Sequence, residues 1–185
     1  MDTQWPRWEV FKQDTPSKPH QAVGSVHAAD PFHALLTARN VFARRPQAVS
    51  MWVAPASAIF SVTKEELAEG QELKPSTSDP KPSTYYVFRK TSHKRSMTFV
   101  DYVGELEATS PEEALKLAME RFTDAPAMAW WVVPASSVTK SEDSPETVES
   151  WFAPAKDKTY KQQSYYGLVG AHPGKHKRTQ GDDDE

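Results

Sequence analysis

Any chemistry in this chain must do without cysteine, which its 185 residues lack. Disulfides, thiolate metal sites and cysteine nucleophiles are thereby excluded, and a reducing compartment fits. The six histidines are His20, His27, His33, His93, His172 and His176. A carboxylate-bridged di-iron centre in a helical bundle needs Glu-x-x-His pairs, which put two ligands on one helix face. No glutamate here is followed by histidine at that spacing, and no His-Glu-x-x-His pattern of a zinc hydrolase occurs. Seven scattered glycines form no phosphate-cradling loop. His27 and His33 could in principle share a metal, but surface or capping roles are the simpler reading. His172 and His176 stand four apart in a segment with no helical pattern. Asp30, just before Pro31, reads as a helix cap before it reads as a general acid. Arg44 and Arg45 could meet an anion such as a coenzyme A phosphate, or simply favour the carboxyl end of a helix. No catalytic, cofactor-binding or metal-binding residue is therefore expected in this chain.

The aromatic residues are harder to dismiss. Trp5, Trp8, Trp52, Trp130 and Trp131 exceed what a small sheet hides on one face. Trp130 and Trp131 are neighbours, so in a strand they must point to opposite faces. One face belongs under a helix. The other is covered by another part of the chain or presented to a partner, where aromatic anchors are favoured. The candidate partner-interface residues are Trp5, Trp8, Arg44, Arg45, Trp52, Trp130, Trp131, Trp151, Phe152, Tyr160, Tyr165 and Tyr166.

The elements that must position these residues can be read in order. WEVFK, from Trp8 to Lys12, alternates as a strand with Trp8 and Val10 on one face and Glu9 and Phe11 on the other. Gln13 to Pro19 forms the hairpin loop, and Gln21 to Ala28 returns with Ala22, Val26 and Ala28 on one face. Asp30-Pro31 then starts a helix. Its apolar stripe is Ala34, Leu35, Ala38, Val41 and Phe42. Pro46 stops it, and Val49 to Ala54 is a buried strand. A second passage repeats this grammar: strands at Tyr85–Lys90 and Phe99–Glu107, a capping box at Ser110 to Glu113, a stripe of Ala114, Leu115, Ala118, Met119 and Phe122, and a strand at Ala129–Val133.

The correspondence is countable. Val23-Gly24 and Val103-Gly104, Pro31 and Pro111, and Ala34-Leu35 and Ala114-Leu115 lie 80 residues apart. Trp52-Val53 and Trp131-Val132 lie 79 apart, and Val10-Phe11 and Val87-Phe88 lie 77 apart. Insertions fall where loops belong, so the pattern is a duplicated unit rather than a solenoid. The expected fold is α+β: two tandem ββαβ repeats, each an antiparallel sheet with one helix on a face, paired about a pseudo-twofold axis. The first repeat is placed at 1–62, a linker at 63–84 and the second repeat at 85–138. The linker opens with a short helical piece, KEELAEG, and continues Pro- and Ser-rich. An extended tail, without helical or strand periodicity and disordered at its end, fills 139–185.

Bulk properties narrow the function classes. Hydrophobic residues make up 38% and prolines number 15, which suits ordered units joined by poorly packed segments. A net charge of -3 argues against a dedicated nucleic-acid binder. The amino terminus shows no apolar signal core and no run reaches membrane-spanning length, so a soluble cytoplasmic protein is expected.

The stretches WPRWEVF (Trp5 to Phe11), VGSVHAAD (Val23 to Asp30), ALLTARNVFARR (Ala34 to Arg45) and SMWVAPAS (Ser50 to Ser57) resemble the PaaB family, small subunits of the bacterial 1,2-phenylacetyl-CoA epoxidase. Phe152-Ala153-Pro154-Ala155, Lys158-Thr159-Tyr160 and Tyr165-Tyr166 resemble that family's carboxyl tail. The second passage matches more loosely: the run from His27 to Asp30 becomes Glu107 to Ser110, and the double arginine is gone. The resemblance implies a non-catalytic accessory subunit of a multicomponent di-iron monooxygenase in aerobic phenylacetate degradation. The implied partners are a catalytic di-iron oxygenase subunit and a structural subunit, which it would bridge, together with a reductase; self-association is implied as well. The alternative is a small-ligand-binding or regulatory module that uses a pocket between the two repeats.

Overall fold

A computed structural model describes residues 4–43, 48–69, 82–92 and 100–152. The chain divides into two units, Met1–Pro154 and Ala155–Glu185, and every described residue lies in the first. The elements are β1 (Arg7–Gln13), β2 (Gln21–His27), α1 (Pro31–Phe42), β3 (Ser50–Pro55), β4 (Phe60–Thr63), α2 (Lys64–Ala68), β5 (Ser83–Lys90), β6 (Asp101–Ala108), α3 (Pro111–Arg121), β7 (Ala129–Pro134), β8 (Thr139–Lys140) and α4 (Pro145–Phe152). This is an α+β architecture, antiparallel at every described pairing.

Two helices start where local chemistry dictates. The Asp30 carboxylate accepts from the backbone N–H of His33 at 2.8 Å, with Pro31 at the first helical position. Ser110 plays the same part for α3, accepting from Glu113 N at 3.2 Å. The expected capping box is displaced by one residue: the Glu113 carboxylate reaches back to Thr109 N at 2.7 Å. A complete capping box, Thr63 with Glu66, opens α2 instead. Ala34, Leu35 and Ala38 of α1 and Ala114, Leu115 and Ala118 of α3 are buried as the stripes require. Val41 and Met119 are not. They are 58% and 41% exposed, because each lies at a margin of an apolar arc that is centred on the residues before it.

Both hairpins carry a bulge at the same place. Val10 faces Gly24 but Phe11 faces Ala22, and Val87 faces Gly104 but Phe88 faces Tyr102. The extra residues are Val23 and Val103. One inserted residue reverses the alternation of the strand. Ala22 therefore leaves the face expected of it: Val26 and Ala28 pack under α1, while Ala22 joins the cluster on the opposite face.

The sequence predicts a sheet for each repeat, and the strands instead form one eight-stranded sheet in the order β4-β7-β5-β6-β2-β1-β3-β8. The junction is narrow. Ala22 N donates to Val100 O at 2.9 Å, Tyr102 N donates to His20 O at 2.8 Å, and the Gln21 amide donates to Asp101 at 2.7 Å. β4 crosses from the first half to flank β7, and β8 returns from the second half to flank β3. A strand edge exposes unpaired backbone donors and acceptors, so each crossing covers an edge the other half would leave open.

Three cores result. α1 covers Val10, Val26, Met51 and Val53, and Phe152 of α4 is buried in the same cluster. α3 covers Val87, Leu106, Trp130 and Val132, together with Val62 of β4. The third cluster lies on the sheet faces opposite the helices and draws from both halves: Phe11, Ala22, Trp52 and Ala54 meet Tyr86, Phe88, Val100 and Val133. Phe11 and Phe88 stack at its centre, with ring centroids 4.1 Å apart. β8 and α4 fall where the sequence suggests a tail without periodicity. α4 has too few residues to display a period, and its place is set by burial of Phe152 and by Arg39 Nε donating to Trp151 O at 2.6 Å.

Candidate functional site

The candidate aromatic residues separate by environment. Trp8 is buried under α1, with its indole N–H donating to Ala28 O at 3.0 Å. Trp130 is buried under α3, and the Arg89 guanidinium lies 5.7 Å from its ring centre. That guanidinium also grips the Asp124 carboxylate through two bonds of 2.9 Å, which holds Asp124 below the usual carboxylate range. Trp131 points the other way, edge-on to Phe11, as neighbouring strand residues must. Phe152 is buried and Trp151 half-buried against the first core. Trp5 is 55% exposed, with its ring edge-on to that of His33. Arg44, Arg45, Tyr160, Tyr165 and Tyr166 lie outside the described residues. So do His93, His172, His176 and the expected disordered end.

His27 and His33 do not converge on a metal position. His27 Nδ1 is 2.8 Å from Trp5 O, and His33 Nδ1 accepts from Ala29 N at 3.4 Å. Among the described residues, no group of three or more His, Asp or Glu side chains is placed to hold a metal ion.

Trp52 belongs to a polar constellation that the sequence did not reveal. A cleft of about 460 Å³ opens between the β1–β3 side of the first half and the segment from Lys140 to Val148. The His20 ring stacks on Trp52 at 3.6 Å, and His20 Nε2 lies 2.9 Å from Ser50 Oγ. Lys140 stands opposite Trp52 in the β3–β8 ladder. Its ammonium donates to the Tyr86 hydroxyl at 2.8 Å and sits 4.6 Å and 4.7 Å from the ring centres of Trp52 and Tyr86. Four segments far apart in sequence thus meet, through β1–β3 pairing and the return of β8.

Burial, reinforced by the nearby Lys140 charge, pushes His20 down to about 4. The ring is neutral in the folded protein at neutral pH and a weak base. Among the described residues no carboxylate hydrogen-bonds it, so the His20–Ser50 pair lacks the orienting acid of a nucleophile–base pair. What the group can do is present a fixed ammonium and a hydroxyl beside an aromatic wall.

The depressed value has a consequence for stability. A base whose folded value lies below its ordinary value contributes stability that is complete above about pH 6.5 and is lost as pH falls toward 4. Between pH 7 and pH 4.5 the wild type should lose about 2 kcal/mol more than His20→Asn, allowing for screening by water in the cleft. Urea unfolding of both proteins at the two pH values measures the difference, and equal losses would contradict the assignment.

The family model Phenylacetic acid degradation B matches residues 4–79 and again 81–173. The chain belongs to that family. A relative from Escherichia coli (strain K12), a subunit of 1,2-phenylacetyl-CoA epoxidase, is 43% identical over 65 residues, covering 35% of this chain and 68% of the relative. No solved structure matches the chain. Among the described residues no helix is long and apolar enough to cross a membrane.

Proposed function

We propose that this chain is a non-catalytic, bridging subunit of a phenylacetyl-CoA epoxidase-like di-iron monooxygenase, whose chemistry resides in another chain. The observation that carries this reading is the family match along two successive segments, joined to a relative whose name is that of an epoxidase subunit. The chain is read as a tandem duplication, with repeats at 1–62 and 85–138, a linker at 63–84 and a tail at 139–185. Contacts between corresponding residues support a pseudo-twofold axis: Phe11 stacks on Phe88, and Gln21 bonds Asp101. The partners are a catalytic di-iron subunit, a structural subunit and a reductase. The exposed Trp5 and Phe32, at 55% and 65%, give the bridging surface its aromatic anchors, with Arg44, Arg45, Trp131, Trp151, Tyr160, Tyr165 and Tyr166 as further contacts.

Reconstitution tests this directly. The chain should co-purify with the di-iron and structural subunits, and phenylacetyl-CoA epoxidation by those subunits and the reductase should fall at least about tenfold when it is omitted. Trp5→Ala with Phe32→Ala should weaken co-purification by a comparable factor, since anchor truncations cost upward of about 1–2 kcal/mol. Undiminished turnover without the chain would sink the bridging role.

A further inference from the structure

The two halves of the sheet carry equivalent hollows whose polar groups differ: Ser61, Thr63, Glu65 and Lys90 line one, and Gln13, His20, Ser50, Lys140, Ser141 and Asp143 line the other. Ser61 stands opposite Trp131 in the β4–β7 ladder just as Lys140 stands opposite Trp52. Beside Trp131 lies a hollow of about 200 Å³. By the offsets of 80, 79 and 77 residues, the positions of His20, Ser50 and Tyr86 are occupied in the other half by Val100, Ala129 and Glu9. Packing alone is satisfied by Val100 and Ala129 at these places, so the fold does not demand the histidine, serine and lysine of the larger cleft.

We propose that the cleft between Trp52 and Lys140 is a binding site for a small organic carboxylate with an apolar body. Its volume of about 460 Å³ is in the range of small-molecule sites. Val49, Pro145, Val148 and the edge of Trp52 line it with apolar surface. The ammonium of Lys140 has three donors, of which the Tyr86 hydroxyl takes one. No carboxylate of the described residues lies within 4.0 Å of it; Asp143, the other charged residue lining the cleft, is exposed to solvent. The two aromatic rings hold the ammonium in place before a ligand arrives, which lowers the ordering cost of binding. The carboxylate is received by Lys140 Nζ and Ser50 Oγ. The neutral His20 fixes the Ser50 hydroxyl and the Trp52 ring without adding a second charge, so a singly charged head group is matched. This site is independent of the bridging role and survives its failure.

Titration of the full chain with hexanoate, followed by the indole N–H signal of Trp52 in nitrogen-correlated NMR spectra, tests the proposal. Hexanoate should bind saturably. Lys140→Met should bind about 10- to 100-fold more weakly, the range for losing a hydrogen bond to a charged group, while Lys140→Arg retains most of the affinity. Hexanamide should lose a similar factor against the wild type, and inorganic phosphate should not displace hexanoate at equal concentration. Lys140 is exposed, and an unchanged spectrum away from the cleft confirms that the variants fold. Absence of saturable hexanoate binding, equal binding by Lys140→Met, or equal binding of the amide overturns the site.

Discussion

Phe11→Ala is expected to destabilise the protein by about 3–5 kcal/mol, as is Phe88→Ala, because each removes a fully buried ring from a core that cannot collapse around the loss. The two rings come from β1 and β5 and stack with planes 21° apart, at the centre of the cluster that joins the halves. Strands held by ladder hydrogen bonds cannot move inward to fill the gap, so the cavity term adds to the lost transfer energy. The pair should also show a coupling of about 0.5–1.5 kcal/mol in a double-mutant cycle. Urea unfolding gives all three values. It should show a single transition, since β4 and β8 each complete the half of the sheet to which they do not belong in sequence. Losses below about 1 kcal/mol, or two separated transitions in the wild type, would contradict a shared central core.

Gly24→Ala and Gly104→Ala should each cost about 2–4 kcal/mol, a large effect for adding one methyl group. Two causes combine. The backbone φ angles are +141° and +154°, in a region that residues with a Cβ rarely adopt. A Cβ at Gly24 would lie 2.9 Å from Phe42 Cζ, and one at Gly104 would lie 2.8 Å from Phe122 Cζ. These are the aromatic residues that close α1 and α3 onto the bulges. The double variant Gly24→Ala with Phe42→Leu separates the causes: the steric part is relieved and the backbone part stays. Thermal unfolding of the single and double variants reads both, and a Gly24→Ala protein as stable as wild type would show that the bulge tolerates a side chain.

Much of this was legible from residues. Asp30-Pro31 and Ser110-Pro111 start helices because the cap bond and the proline are local chemistry, independent of what packs above them. Trp8 and Val10 separate from Phe11, and Trp130 from Trp131, because strand alternation is geometric. The bulges at Val23 and Val103 were marked only by the paired Val-Gly steps, and alternation read through them put Ala22 on the wrong face. Val41 and Met119 fit a stripe by counting, yet lie at the margin of the arc that the sheet covers. Strands β4 and β8 offered too few residues for a period, and their partners lie far off in sequence.

The cleft shows the same division. Its residues, at positions 20, 50, 52, 86 and 140, share no spacing, so no motif could announce them. A comparison of the two passages for positions where one is polar and the other is not flags, of these, only His20 against Val100 and Ser50 against Ala129. That comparison needs to know which strands face one another.

What the sequence by itself determined is the capped starts of α1 and α3 and the alternation of faces along the strands, since these depend on interactions within a few residues. The family is legible there too. Only the tertiary structure decided that the halves share one sheet, that β4 and β8 exchange edges, and that His20, Trp52, Tyr86 and Lys140 meet. Those outcomes depend on which unpaired strand edges and uncovered apolar faces find each other, and that is a property of the whole packed chain.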